Sequence, residues 1–250
     1  MNSIEDHLVA LERAGDALAR AAGSVSLDTP VPHCPGWCVR DLVRHTGAVH
    51  RWATYIVGTG QVARPSPAER DRVAMTWGPD AELIDWFRSG HRDLVATVRA
   101  APDELSCYQF LAADSPRAFW ARRQAHETTI HRLDAQFAAG AVEPVDPAVA
   151  ADGVDELLGG FFRRREPPAD GALLLVTATD VDRSWAIRLG AGRIGLDPGA
   201  DPGSADCVLA GPSTLLYPTL WNRGGFDELT VRGDATVLDR WRSEATIRWG

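Results

Sequence analysis

Along the first 140 residues apolar positions recur at steps of three and four; after residue 170 they recur in short runs. The first rhythm is helical and the second is that of strands. Leu8, Leu11, Ala14 and Leu18 form one side of a helix that Ser3 and Asp6 open with a capping box and that runs to about Ala22. GSVSLDTPVPHCPGWC breaks the rhythm with prolines and glycines and reads as a loop, with Val31 and Trp37 expected to pack inward. A second helix is predicted from about Cys38 to about Val57, with Leu42, His45, Val49, Trp52 and Ile56 on its apolar side. Cys38, with Asp41 three residues on, holds the cap position, where cysteine is a poorer cap than Ser or Thr. Residues 58–79 read as a long loop, of the kind that is usually functional or covers something. A third helix follows from Asp80 to about Ala100, carrying Leu83, His91, Leu94 and Val98. The fourth spans SPRAFWARRQAHETTIHRLDAQFAAG, with Ser115 as cap, Pro116 as first residue and Gly140 as stop. Four long helices predict a four-helix bundle.

Beyond Gly140 the pattern changes. AVEPVDP reads as a hinge, and Pro147 to about Arg163 as one more helix. ALLLVTATD, SWAIRLG and RIGLD then predict a meander, DCVLAG a fourth strand and ELTVRG a fifth. Helices are expected over Pro212–Asn222 and in ATVLDRWRSEA. Segregated helices and an antiparallel sheet make this part an α+β domain. The expected organisation is a helical domain over residues 1–143 and an α+β domain over 144–250.

Composition narrows the function classes. A net charge of −8 argues against a nucleic-acid partner. No run of 18 apolar residues exists, so no membrane-spanning helix is expected. MNSIEDHLVALERAG has early acids and a helical rhythm rather than an export signal, so the expected location is cytoplasmic, with reduced cysteines. Cys34 and Cys38, beside His33, lack the matching second pair of a zinc finger and read as ordinary thiols.

The fourth helix carries the candidate chemistry. Phe119, His126, Ile130, Leu133 and Phe137 make one stripe, and Trp120, Glu127, His131 and Asp134 lie one step round. Glu127 and His131, four apart, are neighbours on one face. They read either as two ligands to a divalent ion or as an ordinary surface pair. His45 reads either as a core histidine or as a third ligand. Two imidazoles and one carboxylate would leave positions open, the catalytic rather than the structural pattern for zinc.

PGWCVRDLVRHTGAVHRW resembles the PGW segment of the DinB-like, mycothiol-dependent maleylpyruvate isomerase family of actinobacteria. ARRQAHETTIHRLDAQ resembles that family's arginine-led E-x-x-x-H-x-x-D segment. The tail, through VLAGPSTLLYPTLWNRGG to LTVRGDATVLDRW, is similar to its sterol-carrier-like C-terminal domain. The resemblance implies a divalent metal, most often zinc, held by His45, Glu127 and His131. It implies an arginine from the C-terminal domain, best matched by Arg223 in LWNRGG, whose other reading is a solvated or capping residue. Cys38 in place of Ser/Thr and His126 beside Glu127 depart from the family pattern. His126 is expected in the core, and Asp134 is expected to orient a ligand.

The implied activity is that of a metal-dependent thiol transferase or isomerase using mycothiol on a small electrophile. A metal-dependent hydrolase and a non-catalytic small-ligand-binding protein with a bracing ion are the alternatives.

Overall fold

A computed structural model describes residues 2–162, 168 and 170–245. The chain divides into two compact units, Met1–Pro144 and Val145–Gly250. The first unit is helical: α1 spans Ile4–Gly23, α2 Val39–Thr59, α3 Pro67–Ala74, α4 Leu83–Ala100 and α5 Pro116–Ala139. In α1 the expected box forms. Asp6 N–H donates to Ser3 Oγ at 3.1 Å and Ser3 N–H to the Asp6 carboxylate at 2.8 Å. Leu8, Leu11, Ala14 and Leu18 are all buried.

Three helices differ from the expectation. The buried side of α2 is Val39, Val43, Thr46, His50, Ala53 and Val57 with Leu42 and Ile56, so the expected stripe is turned by about one residue. Thr46 and His50 hide that face in the sequence because both are polar. His45 and Trp52 are only partly buried in consequence. The expected loop over 58–79 contains α3, a short polar helix with Ala74 as its buried residue. Its signal was the box in which Ser66 N–H donates to Glu69 at 2.9 Å and Glu69 N–H to Ser66 Oγ at 3.3 Å. The third departure is α5. Rather than burying a stripe, it is buried from Phe119 to Gln136 at every position except Arg122. It packs along α1 and against α2. Ser115 caps its start, accepting from Ala118 N–H at 3.1 Å, and Gly140, at φ 68°, supplies the left-handed residue that ends it.

The second unit opens with α6, Pro147–Asp155, which widens into a π turn over Glu156–Phe161. The expected end of this helix at Arg163 lies outside the described residues. The strands β1 (Ala172–Ala178), β2 (Arg183–Gly190), β3 (Arg193–Leu196), β4 (Cys207–Gly211) and β5 (Thr230–Gly233) form one sheet in the order β3-β2-β1-β4-β5. β1, β2 and β3 are the expected meander. β4 pairs parallel to β1, opposite Leu174 to Ala178, so the sheet is mostly rather than wholly antiparallel. The chain leaves β3 through the turn at Pro202–Ser204 and re-enters on the far side of β1, which turns β4 to run with it. Two further helices, α7 (Ser213–Leu220) and α8 (Thr236–Glu244), complete the unit. Its core includes Leu174, Val176, Ile187, Leu209, Leu216, Tyr217 and Trp241. Gly153 of α6 leaves the space that the Tyr217 ring fills; a Cβ there would collide with it. No described helix is long and apolar enough to cross a membrane.

Candidate metal centre

α5 presents Glu127 and His131 one turn apart, and α2, packed against it, brings His45 to the same place. His131 Nε2 lies 3.3 Å and His45 Nε2 3.4 Å from the same oxygen, Glu127 Oε1. One ligand atom from each of the three lies within 4.8 Å of the others. Metal–ligand bonds of about 2.0–2.1 Å in a tetrahedron put neighbouring donors about 3.3 Å apart. The two measured edges therefore fit a small divalent ion such as zinc, and the donor set of two imidazoles and one carboxylate suits it chemically. His45, its side chain 26% exposed, gives the cluster a solvent-facing edge, whereas Glu127 and His131 are 7% exposed.

Two further residues hold these donors in place. Arg123 NH2 donates to Glu127 Oε2 at 2.8 Å. His131 Nδ1 is 2.9 Å from Asp134 Oδ2, and Asp134 is fully buried. This is a carboxylate–imidazole pair of the kind that fixes the tautomer of a metal-bound histidine. Burial opposes the charge on Glu127, yet hydrogen bonds from His131 and His45 and the Arg123 guanidinium hold its carboxyl well below the usual range. Burial likewise works against a charged His131, but Asp134 and Glu127 outweigh it and lift the imidazole to about 9. Without a metal, a proton on Nε2 therefore occupies the place an ion would take.

The loop before α2 forms the third side. Val31 N–H donates to Trp37 O at 3.0 Å, Cys34 N–H to Val31 O at 3.1 Å and Trp37 N–H to Cys34 O at 2.9 Å, so its backbone is pinned at both ends of the turn. Trp37 lies 5.0 Å from the His45 ring and stacks at 6.4 Å and 20° on that of His131. The Cys34 thiol donates to Asp134 Oδ2 at 3.4 Å, and that of Cys38 to Asp41 at 3.1 Å.

Residues 8–136 match the mycothiol maleylpyruvate isomerase N-terminal domain and residues 148–240 the corresponding C-terminal domain. The chain belongs to the mycothiol maleylpyruvate isomerase family. Its fold is similar to that of two crystal structures of a mycothiol-dependent maleylpyruvate isomerase, one of them a histidine-to-alanine mutant. TM-scores are 0.64 for both, at 17% and 16% identity, covering 92% of this chain and 93% of each of the others. At that identity the likeness is one of fold. No curated protein matches the sequence.

Within this family member the remaining candidates are placed as follows. His126 is fully buried on α5 with its ring edge-on to His7 of α1 at 6.0 Å, away from the cluster. His50, which sequence spacing separates from His45, is buried instead beside Thr128, with Nε2 2.9 Å from its hydroxyl. Burial holds His50 well below its ordinary value, so it is a neutral hydrogen-bonding group. Arg223 follows α7 in the second unit; its NH1 donates to Trp221 O at 2.9 Å and its backbone N–H to Pro218 O at 2.8 Å. Arg123, Trp37 and Cys34 escaped the reading of the sequence as parts of the site. Arg123 stands four residues before Glu127, a helical spacing that pairs opposite charges and was open to notice. Trp37 and Cys34 reach the site through tertiary packing, which no local spacing encodes.

Proposed function

We propose that the protein is a thiol-dependent isomerase or S-transferase joining a low-molecular-weight thiol, mycothiol, to a small electrophilic substrate at a divalent metal held by His45, Glu127 and His131. The observation that carries this reading is the single Glu127 oxygen flanked by two imidazole nitrogens at 3.4 and 3.3 Å. Family membership supports mycothiol as the thiol and a small electrophile as the substrate. A bound Zn2+ would stabilise a thiolate near neutral pH.

The chain's own residues prepare that centre. Asp134 accepts from the Nδ1–H of His131, so that an ion would bind at Nε2 by displacing its proton. Arg123 compensates the charge of Glu127 and fixes its rotamer. Trp37 packs against both imidazoles. Arg223 is the proposed cation for a carboxylate of the thiol or the substrate. The thiolate sulfur adds to an electrophilic carbon of a multiple bond, whose π pair moves to the neighbouring atom and there takes up the proton the thiol released. Retention of the new carbon–sulfur bond gives an S-conjugate; its later cleavage, with loss of a proton, re-forms the π bond and returns the thiol and an isomerised product.

Elemental analysis of the purified protein followed by titration of the Co2+ form with mycothiol tests the proposal. Near-stoichiometric metal and a change in the Co2+ ligand-field bands are expected, with turnover of maleylpyruvate or a related electrophile that requires the thiol. Absence of both thiol binding and spectral change sinks the proposal, and metal-dependent hydrolysis without thiol transfers the chain to the hydrolases.

A further inference from the structure

Cys34 is not among the close donors of the candidate centre, yet it touches the carboxylate that orients one of them. Asp134 Oδ2 is shared: His131 Nδ1 lies 2.9 Å from it and Cys34 Sγ 3.4 Å. We propose that Cys34 is a positioning residue for the metal centre, its thiol pinning the Asp134 rotamer that orients His131. The inference rests on reading His45, Glu127 and His131 as metal ligands.

Several observations support it. A carboxylate oxygen has room for two donors, and two donors from different elements fix its rotation where one would leave a hinge. Cys34 approaches from the loop and His131 from α5, so the shared oxygen ties the two together. The thiol is aimed by its backbone, because Cys34 donates to Val31 O and accepts from Trp37 N–H within the same turn. Trp37, three residues on, packs on the rings of His45 and His131, so the loop meets the ligand set from a second direction. In this role Cys34 serves as a hydrogen-bond donor to Asp134.

The test measures Zn2+ affinity by chelator competition, and the Co2+ ligand-field spectrum, for the full chain and its variants. Cys34→Ala is expected to weaken Zn2+ about tenfold, the low end of effects from groups behind metal ligands, and to shift the Co2+ bands. Cys34→Ser restores a donor and is expected to bind within about twofold of the parent. In an Asp134→Asn background Cys34→Ala is expected to add nothing, because the two act in series. Cys34→Val, close in volume and without a donor, replaces the alanine variant if that one does not fold. Parent-like affinity in Cys34→Ala, equal weakening in Cys34→Ser, or full additivity with Asp134→Asn each overturn the inference. A parent protein that takes up no metal overturns both this inference and the proposed function. A parent that binds metal while Cys34→Ala matches it overturns this one alone.

Discussion

α5 and the central strands of the second unit are both buried, and they are built of opposite material. Between Arg123 and Gln136, α5 buries two arginines, two histidines, a glutamate and an aspartate. The inward positions of β1, β2 and β4 are Leu174, Val176, Trp185, Ile187, Leu189, Cys207 and Leu209, all without charge. Removing an ion from water costs several kcal/mol unless a partner compensates it. On α5 the compensation is visible, since Glu127 meets Arg123 and His131, and Asp134 meets His131 and Cys34. The sheet supplies stability by excluding water; the helix spends some of it to hold charge in fixed positions.

Substitutions in the two regions should therefore fail in different ways. Glu127→Ala removes a proposed metal donor and one carboxylate partner of Arg123. Metal uptake is expected to vanish and stability to fall by about 3–5 kcal/mol, read by elemental analysis and denaturant unfolding. Normal metal content in this variant would refute the ligand assignment. Leu174→Ala in β1 is expected to cost about 2–5 kcal/mol while each folded molecule keeps its metal affinity. A loss of affinity there would erase the contrast between the regions.

Proton binding gives a smaller effect that only the helix should show. The imidazole of His131 sits near 9 in the folded, metal-free chain, against about 6.5 when unfolded. A raised folded value means the stabilisation is complete below 6.5 and disappears as pH climbs through 9. Metal-free protein should lose roughly 3 kcal/mol across that window, and metal-loaded protein much less. Zn2+ uptake at pH 7.5 should release about one proton from His131, seen as buffer-dependent heat in calorimetry. Flat metal-free stability between pH 6.5 and 9 would contradict the pairing of His131 with Asp134 and Glu127. The smallest effect is expected at the helix start, where Ser115→Ala should cost about 1 kcal/mol without touching the metal site. A larger loss would show that the start of α5 is coupled to the cluster.

How far the sequence discloses this arrangement depends on the range of the interaction. Caps and stops are local, and Ser3, Ser115 and Gly140 stand where their residue types demand. The i, i+4 relation of Glu127 to His131 and the i, i+3 relation of His131 to Asp134 are equally local, and the structure realises both. His45 comes from the resemblance more than from periodicity, since it lies at the margin of the buried face of α2. That margin would suit a metal ligand, which must face inward to reach its neighbours and still be open to small molecules. Hydropathy misplaced the α2 stripe because Thr46 and His50 are polar residues fully buried within it. The parallel pairing of β4 with β1 was hidden for another reason: strand patterns carry the faces of a sheet, not the order of its strands.

The contact between Arg123 and Glu127 also limits how the carboxylate can be used. With Oε2 occupied by the guanidinium, only Oε1 is turned toward the two imidazoles. Glutamate can grip a cation with both oxygens, and the Arg123 hydrogen bond to Oε2 disfavours that mode here. Were these three side chains to hold an ion, each would give one atom, and positions would remain for a thiol sulfur and a substrate.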